Sequence, residues 1–223
     1  MRTRLTASAT LAATALLLTA CGSSPLEGKT GPEVAEAAAA ALEEAGSVRA
    51  TGTVNQDGEE GEIDLHLQGD DATGTLTLGG REVELISVGG EVFMKGEPEF
   101  WTSFGLPEQA ASGLGGQWIV LPAEAGSGFS EFSLQGFVDE LRNPDEGEIK
   151  DDVTEGEVDG EDVVVVEQED GSTLKVADAD PSYPLEIVSE QDGTVRFSRF
   201  GEEEDISAPA DAVNLAELIG GGS

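Results

Sequence analysis

Apolar and polar positions follow one another in distinct rhythms along the chain. An uncharged run, Leu5–Ala20, gives way to a short polar stretch rich in Gly and Ser. Between Gly31 and Gly46 the apolar residues recur at helical spacing. Val34, Ala38, Ala41, Leu42 and Ala45 make one narrow stripe, with Glu33, Glu36, Glu43 and Glu44 turned to water. Thr30 is placed to cap this helix, Pro32 suits its first turn and Gly46 its end. From Ser47 the period becomes two. Segments 62–68, 75–78 and 82–85 alternate, and Asp57-Gly58, Asp70-Asp71, Gly79-Gly80 and Gly89-Gly90 mark turns between them. The pattern predicts an antiparallel meander with one apolar face, built from Ile63, Leu65, Leu67, Leu76, Leu78, Val83 and Leu85, and one wet face.

The middle breaks this rhythm. Residues 91–105 gather Phe93, Phe100 and Trp101, and 116–122 add Trp118. Residues 107–113 read as a short helix. Residues 133–142 read as an amphipathic one, with Leu134, Phe137, Val138 and Leu141 on one side and Pro144 as its stop. Alternation then returns in 162–167, 172–177, 184–189 and 194–200, punctuated by Asp170-Gly171 and Asp192-Gly193. The expected class is α+β, mostly antiparallel β, with about 10–11 strands.

The first run is too short for a spanning helix, which needs about 20 apolar residues. It also carries hydroxyls at Thr6, Ser8, Thr10, Thr14 and Thr19 and follows Arg2 and Arg4, the layout of a secretory signal peptide. At its end Leu18-Thr19-Ala20-Cys21 matches a bacterial lipobox, which implies that Cys21 receives a diacylglyceryl thioether, is acylated and becomes the first residue. An ordinary signal peptide followed by an incidental thiol is the alternative. A disulfide within the chain is excluded, since Cys21 is the only cysteine. The expected division is a signal peptide at 1–20, a lipidated tether at 21–30, one domain at 31–218 and a flexible tail at 219–223. Fully extended, the tether would reach roughly 30 Å. Two acyl chains suffice for stable anchoring, here to the outer face of the cytoplasmic membrane.

Charge narrows the partners. Forty-six acidic residues stand against 11 basic ones, a net charge of −35. Nucleic acid is excluded as a partner, because binding to phosphate backbones depends on Lys and Arg. Anionic headgroups repel such a surface as well, so the acyl anchor must hold it at the membrane without a basic patch. Catalytic chemistry is sparse. His66 is the single histidine, on a strand face with Asp64 and Gln68 that reads as solvated, and no Gly-x-Ser-x-Gly, HExxH or CxxC occurs. Gly28-Lys29-Thr30 lacks the earlier glycine of a phosphate loop, whose place Ser23 takes. The carboxylates at 178–180 and 202–205 lack the order of a calcium loop. No enzyme activity, cofactor or metal is expected, and the chain is expected to be a monomer.

The lipobox and tether, the Ala-rich helix ending in Ser47-Val48-Arg49 and the meander resemble the LppX/LprAFG (LprG-like) lipoproteins, with their LolA-like fold. The closest words are Val92-Phe93-Met94-Lys95-Gly96, Phe100-Trp101 and Gly116-Gln117-Trp118-Ile119-Val120-Leu121-Pro122. The resemblance spans residues 31–215 and departs from the family in acidity and in Gly and Glu content. It implies a curved antiparallel half-barrel whose concave face is covered by helices, with an apolar cavity between them that binds or carries a lipid or lipoglycan. Under that reading the ligand-binding residues are Ile63, Leu65, Leu67, Leu76, Leu78, Leu85, Phe93, Phe100, Trp101, Phe137 and Leu141. A fully packed core remains the alternative, in an interaction module that binds a protein or polymer through its acidic surface.

Overall fold

The computed structural model describes residues 24–56, 59–103, 105–126, 129, 132–144, 147–189, 191 and 193–215. The signal peptide, Cys21 and the tail at 219–223 lie outside them.

Helix α1 (Gly31–Ala45) opens the domain. The Glu33 carboxylate accepts from the Thr30 N–H at 2.9 Å and from its hydroxyl at 3.1 Å, which holds its pKa below the usual value. Gly46, at φ 72°, closes the helix in the left-handed conformation. Five strands follow as a meander: β1 (Ser47–Gln56), β2 (Glu59–Gln68), β3 (Asp71–Leu78), β4 (Arg81–Val88) and β5 (Glu91–Gly96). Short elements α2 (Pro98–Ser103), α3 (Glu108–Leu114), β6 (Ile119–Val120), α4 (Ala123–Gly126) and α5 (Leu134–Arg142) come next. A second meander comprises β7 (Ile149–Val158), β8 (Glu161–Gln168), β9 (Thr173–Ala177), β10 (Pro184–Ser189) and β11 (Gly193–Ser198), and β12 (Val213–Asn214) ends the described chain.

All twelve strands form one open sheet in the order β12-β6-β5-β4-β3-β2-β1-β11-β10-β9-β8-β7. Every pair is antiparallel except β12 with β6. The count slightly exceeds expectation because β6 and β12 are two-residue strands. Strand β7, α2 and α4 were not foreseen. In β7 the apolar residues Ile149, Val153 and Val158 are too far apart to alternate, and acidic residues stand between them.

Register explains which side chains are inside. One row across the sheet reads Gly96, Val83, Leu76, Ile63, Gly52, Val195, Ile187, Leu174, Val166 and Val153. A neighbouring row reads Ile119, Met94, Leu85, Gly74, Leu65, Ala50 and Phe197. Both belong to the concave face. There α1 lies across β1 and β7–β10 with α5 beside it, while α2 sits on β4 and β5 with α3 packed against it, and α4 sits on β5. The small side chains of Ala35, Ala38 and Ala39 are fully buried and let α1 approach the sheet closely.

Glycine in the central strands permits the curvature. A Cβ on Gly52 would lie 1.9 Å from the Thr194 carbonyl oxygen. On Gly74, at φ +151°, it would lie 2.1 Å from that of Asp64. Neighbouring backbones therefore approach where only hydrogen fits, as at the bends of barrel-like sheets. On the outer face Glu186, 3% exposed, lies between Lys175 at 2.5 Å and Arg196 at 2.8 Å. Burial pushes its pKa up, but the two cations outweigh that and hold it below the ordinary value.

The chain is also ordered earlier than the sequence suggests. Leu26, assigned to the tether, is 2% exposed within the core, and the Ser24 hydroxyl donates to the Asp178 carboxylate.

Two predictions follow from the backbone contacts and from Glu186. Gly74→Ala is expected to cost on the order of 3 kcal/mol or more in denaturant melts, whereas Gly113→Ala in α3, where nothing lies within 4 Å, gains about 0.5–1 kcal/mol. Glu186→Gln is expected to cost about 2 kcal/mol at neutral pH. Because the folded pKa is depressed, the wild-type advantage is present above the unfolded value near 4.5 and disappears as pH falls through the lower folded value. The two variants should therefore converge in acid.

Candidate functional site: an apolar pocket at one end of the sheet

The residues expected to bind ligand occupy three different environments. Ile63, Leu65, Leu67, Leu76 and Leu85 form the concave wall and are at most 4% exposed, packed into the main core with Phe100, Trp101 and Leu141. Phe137 is half-buried against that core and meets Phe197 edge-on at 5.3 Å. Trp101 donates its Nε1–H to the Gly96 carbonyl at 3.2 Å and stands edge-on to Phe100, so this pair anchors α2 to β5. The side chain of Leu78 is outside the described set. Phe93 requires a correction. It pairs with Ile86 and Val120, the register opposite to Met94, so it is buried on the outer face and cannot line a space between sheet and helices.

An apolar pocket does exist on the concave side, but at the sheet's end. Its volume is about 600 Å³, within the roughly 300–1,000 Å³ of ligand pockets. Val92 and Ser87 form its sheet wall, Leu121, Pro122 and Ala123 its side, and Phe129 and Phe132 its cover. Asp70, from the β2–β3 turn, and Glu91, the first residue of β5, stand at the rim with Ser133 and Asn214. Leu121 is fixed by its N–H to the Val92 carbonyl at 2.9 Å. Ser133 caps α5 by accepting from the Gly136 N–H at 3.0 Å, which sets where the Phe132 segment enters the helix. Among the described lining residues there is no lysine or arginine. None of the eleven expected residues lines this pocket. The signal that was available is the apolar pair Phe129 and Phe132 just before α5, which sequence periodicity leaves without an element.

No protein-family model matches the chain, and no curated protein matches its sequence. Among solved structures, the crystal structure of LprF from Mycobacterium bovis superposes with a TM-score of 0.53 at 15% identity, covering 82% of this chain and all of that one. The chain has the LprF fold. PNGF-II, at a TM-score of 0.25 and 11% identity over 78% of this chain and 31% of its own, superposes too poorly to add to that. LprF is a name within the group that the sequence resembles, and the likeness is one of fold.

As this chain builds the LprF fold, residues after β11 turn back over the outer face. Gly201 donates to the Ser47 carbonyl at 2.9 Å, Ser47 Oγ donates to the Glu202 carbonyl at 2.8 Å, and the Glu204 N–H reaches Gln68 Oε1 at 2.9 Å. This strap covers His66, which is 5% exposed and not solvated as expected. Alternation placed the ring on the correct face, but a segment far along the chain buries it. Neither ring nitrogen has a hydrogen-bond partner, and Glu204 Oε1 is 3.9 Å from Nδ1. The hollow beside it is lined by Arg49, Asp64, Arg199 and Glu204, and its charges are already paired: Arg49 with Asp64 at 2.5 Å and Arg199 with Glu204 at 2.8 Å.

An unsatisfied buried ring is a cost, so His66→Leu is expected to raise stability by about 1 kcal/mol. Thermal unfolding of the folded domain checks this, and a loss of stability would assign the ring a partner.

Proposed function

We propose that this protein is a membrane-anchored envelope lipoprotein that holds an apolar ligand, a lipid or lipoglycan, against the concave side of its sheet and has no enzymatic role. The observation that carries this reading is the 600 Å³ pocket walled by Val92, Leu121, Phe129 and Phe132. Apolar walls with a few polar groups at the rim suit a chain-and-headgroup ligand. The carboxylates of Asp70 and Glu91, without a lining cation to offset them, favour a headgroup lacking net negative charge, such as a hydroxyl-rich one.

Cys21 carries the anchor and the leader is removed in this reading, with the domain outside the cytoplasmic membrane. No helix among the described residues is long and apolar enough to cross a membrane, and the acyl chains supply attachment instead. Carriage across the envelope would need the ligand to enter and leave. The pocket adjoins the core at Val92, so parting α2, α3 or α5 from the sheet would extend it towards Leu65, Leu67, Leu85, Phe100, Trp101, Phe137 and Leu141. The tight packing of α1 and α5 over the other half of the sheet favours a second reading, an interaction module with a solid core.

Native mass spectrometry of the domain purified without detergent distinguishes them. The expected result is bound lipid, reduced several-fold in Phe132→Glu while circular dichroism stays unchanged. A ligand-free domain that crosslinks in cells to one protein, in a salt-sensitive manner, would establish the second reading.

A further inference from the structure

The chain enters the domain at a defined end of the sheet. Ser24 is bonded to Asp178, and Leu26 is sealed into the core with its N–H on Ser24 Oγ at 3.2 Å. Asp178 directly follows β9, and its N–H donates to the Asp162 carbonyl at the start of β8. In an antiparallel sheet, the end at which β9 stops and β8 starts is also where β2 and β4 stop and β3 and β5 start. The pocket's rim residues, Asp70 in the β2–β3 turn and Glu91 at the start of β5, lie at that same end. Only Gly22 and Ser23 separate Cys21 from Ser24, a span of about 10 Å at most.

We infer that this end of the sheet is the protein's membrane-facing surface, and that the pocket opens towards the bilayer to which the chain is anchored. The inference rests on acylation of Cys21 as proposed above. Binding of residues 24–30 to the domain shortens the apparent tether from roughly 30 Å to about 10 Å, so the end that holds Ser24 is kept nearer the surface than the opposite end, with its Gly79–Arg81 turn. Headgroup repulsion acts over a Debye length of about 8 Å, similar to the remaining tether. The covalent link, not surface charge, sets the approach. A lipid leaving the bilayer would then cross one short gap to reach Val92 and Phe132.

The test uses the full chain in cells that process its leader. A diazirine amino acid is placed at Glu91, at Asp70 or, as the opposite end, at Arg81, and lipid adducts are weighed after illumination. Rim positions are expected to exceed Arg81 by about fivefold or more, and inserting about 20 Gly and Ser residues between Ser23 and Ser24 should abolish the difference. Equal labelling at Arg81, or an insertion without effect, overturns the orientation. The mass of the N-terminal peptide reports the anchor separately. An unmodified Cys21 overturns the anchoring and this inference together, whereas an acylated chain with equal labelling overturns the orientation alone.

Discussion

The ladder between β1 and β11 is the joint on which the architecture depends. It pairs residues 49–54 with 193–198, and it alone unites the meander before the helices with the one after them into a single sheet. At this seam Gly52 and Gly193 face carbonyl groups of the opposite strand, at distances that no Cβ tolerates. The two halves therefore meet at a bend, and α1 crosses the bend on the concave side. Contacts so distant in sequence cannot form until most of the chain exists, which places this protein among slow, topology-limited folders.

Helical cover is uneven on either side of that seam. Over β1 and β7–β10 the alanines of α1 allow close packing, and Leu42, Val34 and Leu26 fill what space remains. Over β4 and β5 the cover consists of short pieces, α2 and α4 against the strands and α3 against α2, with Trp101 bonded to Gly96. Short helices have little stability of their own. Space is therefore concentrated on one side, where the apolar pocket lies.

Local pattern made much of this legible. Alternation identified the principal strands, and the stripes on α1 and α5 identified the faces that are buried. What escaped was whatever depends on a partner far along the chain. His66 looked wet because the strap that covers it lies more than a hundred residues away. Leu26 looked like tether because one apolar residue among Gly, Ser and Lys has no period. Leu65 and Leu67 are sealed into the core, whereas the walls of the pocket come largely from connecting residues whose placement is set by packing and not by periodicity. Strand β7 was hidden by its own acidity.

That acidity has a further consequence at the sheet's border. Strand β7 is an edge, with its outward backbone groups unpaired by any described strand, and it presents Asp151, Asp152, Glu155 and Glu157 to solvent. Bare edges are templates for growth by addition of another chain. Two such borders would bring matching rows of carboxylates face to face before any ladder formed, and that repulsion opposes growth of the sheet by addition of a second copy.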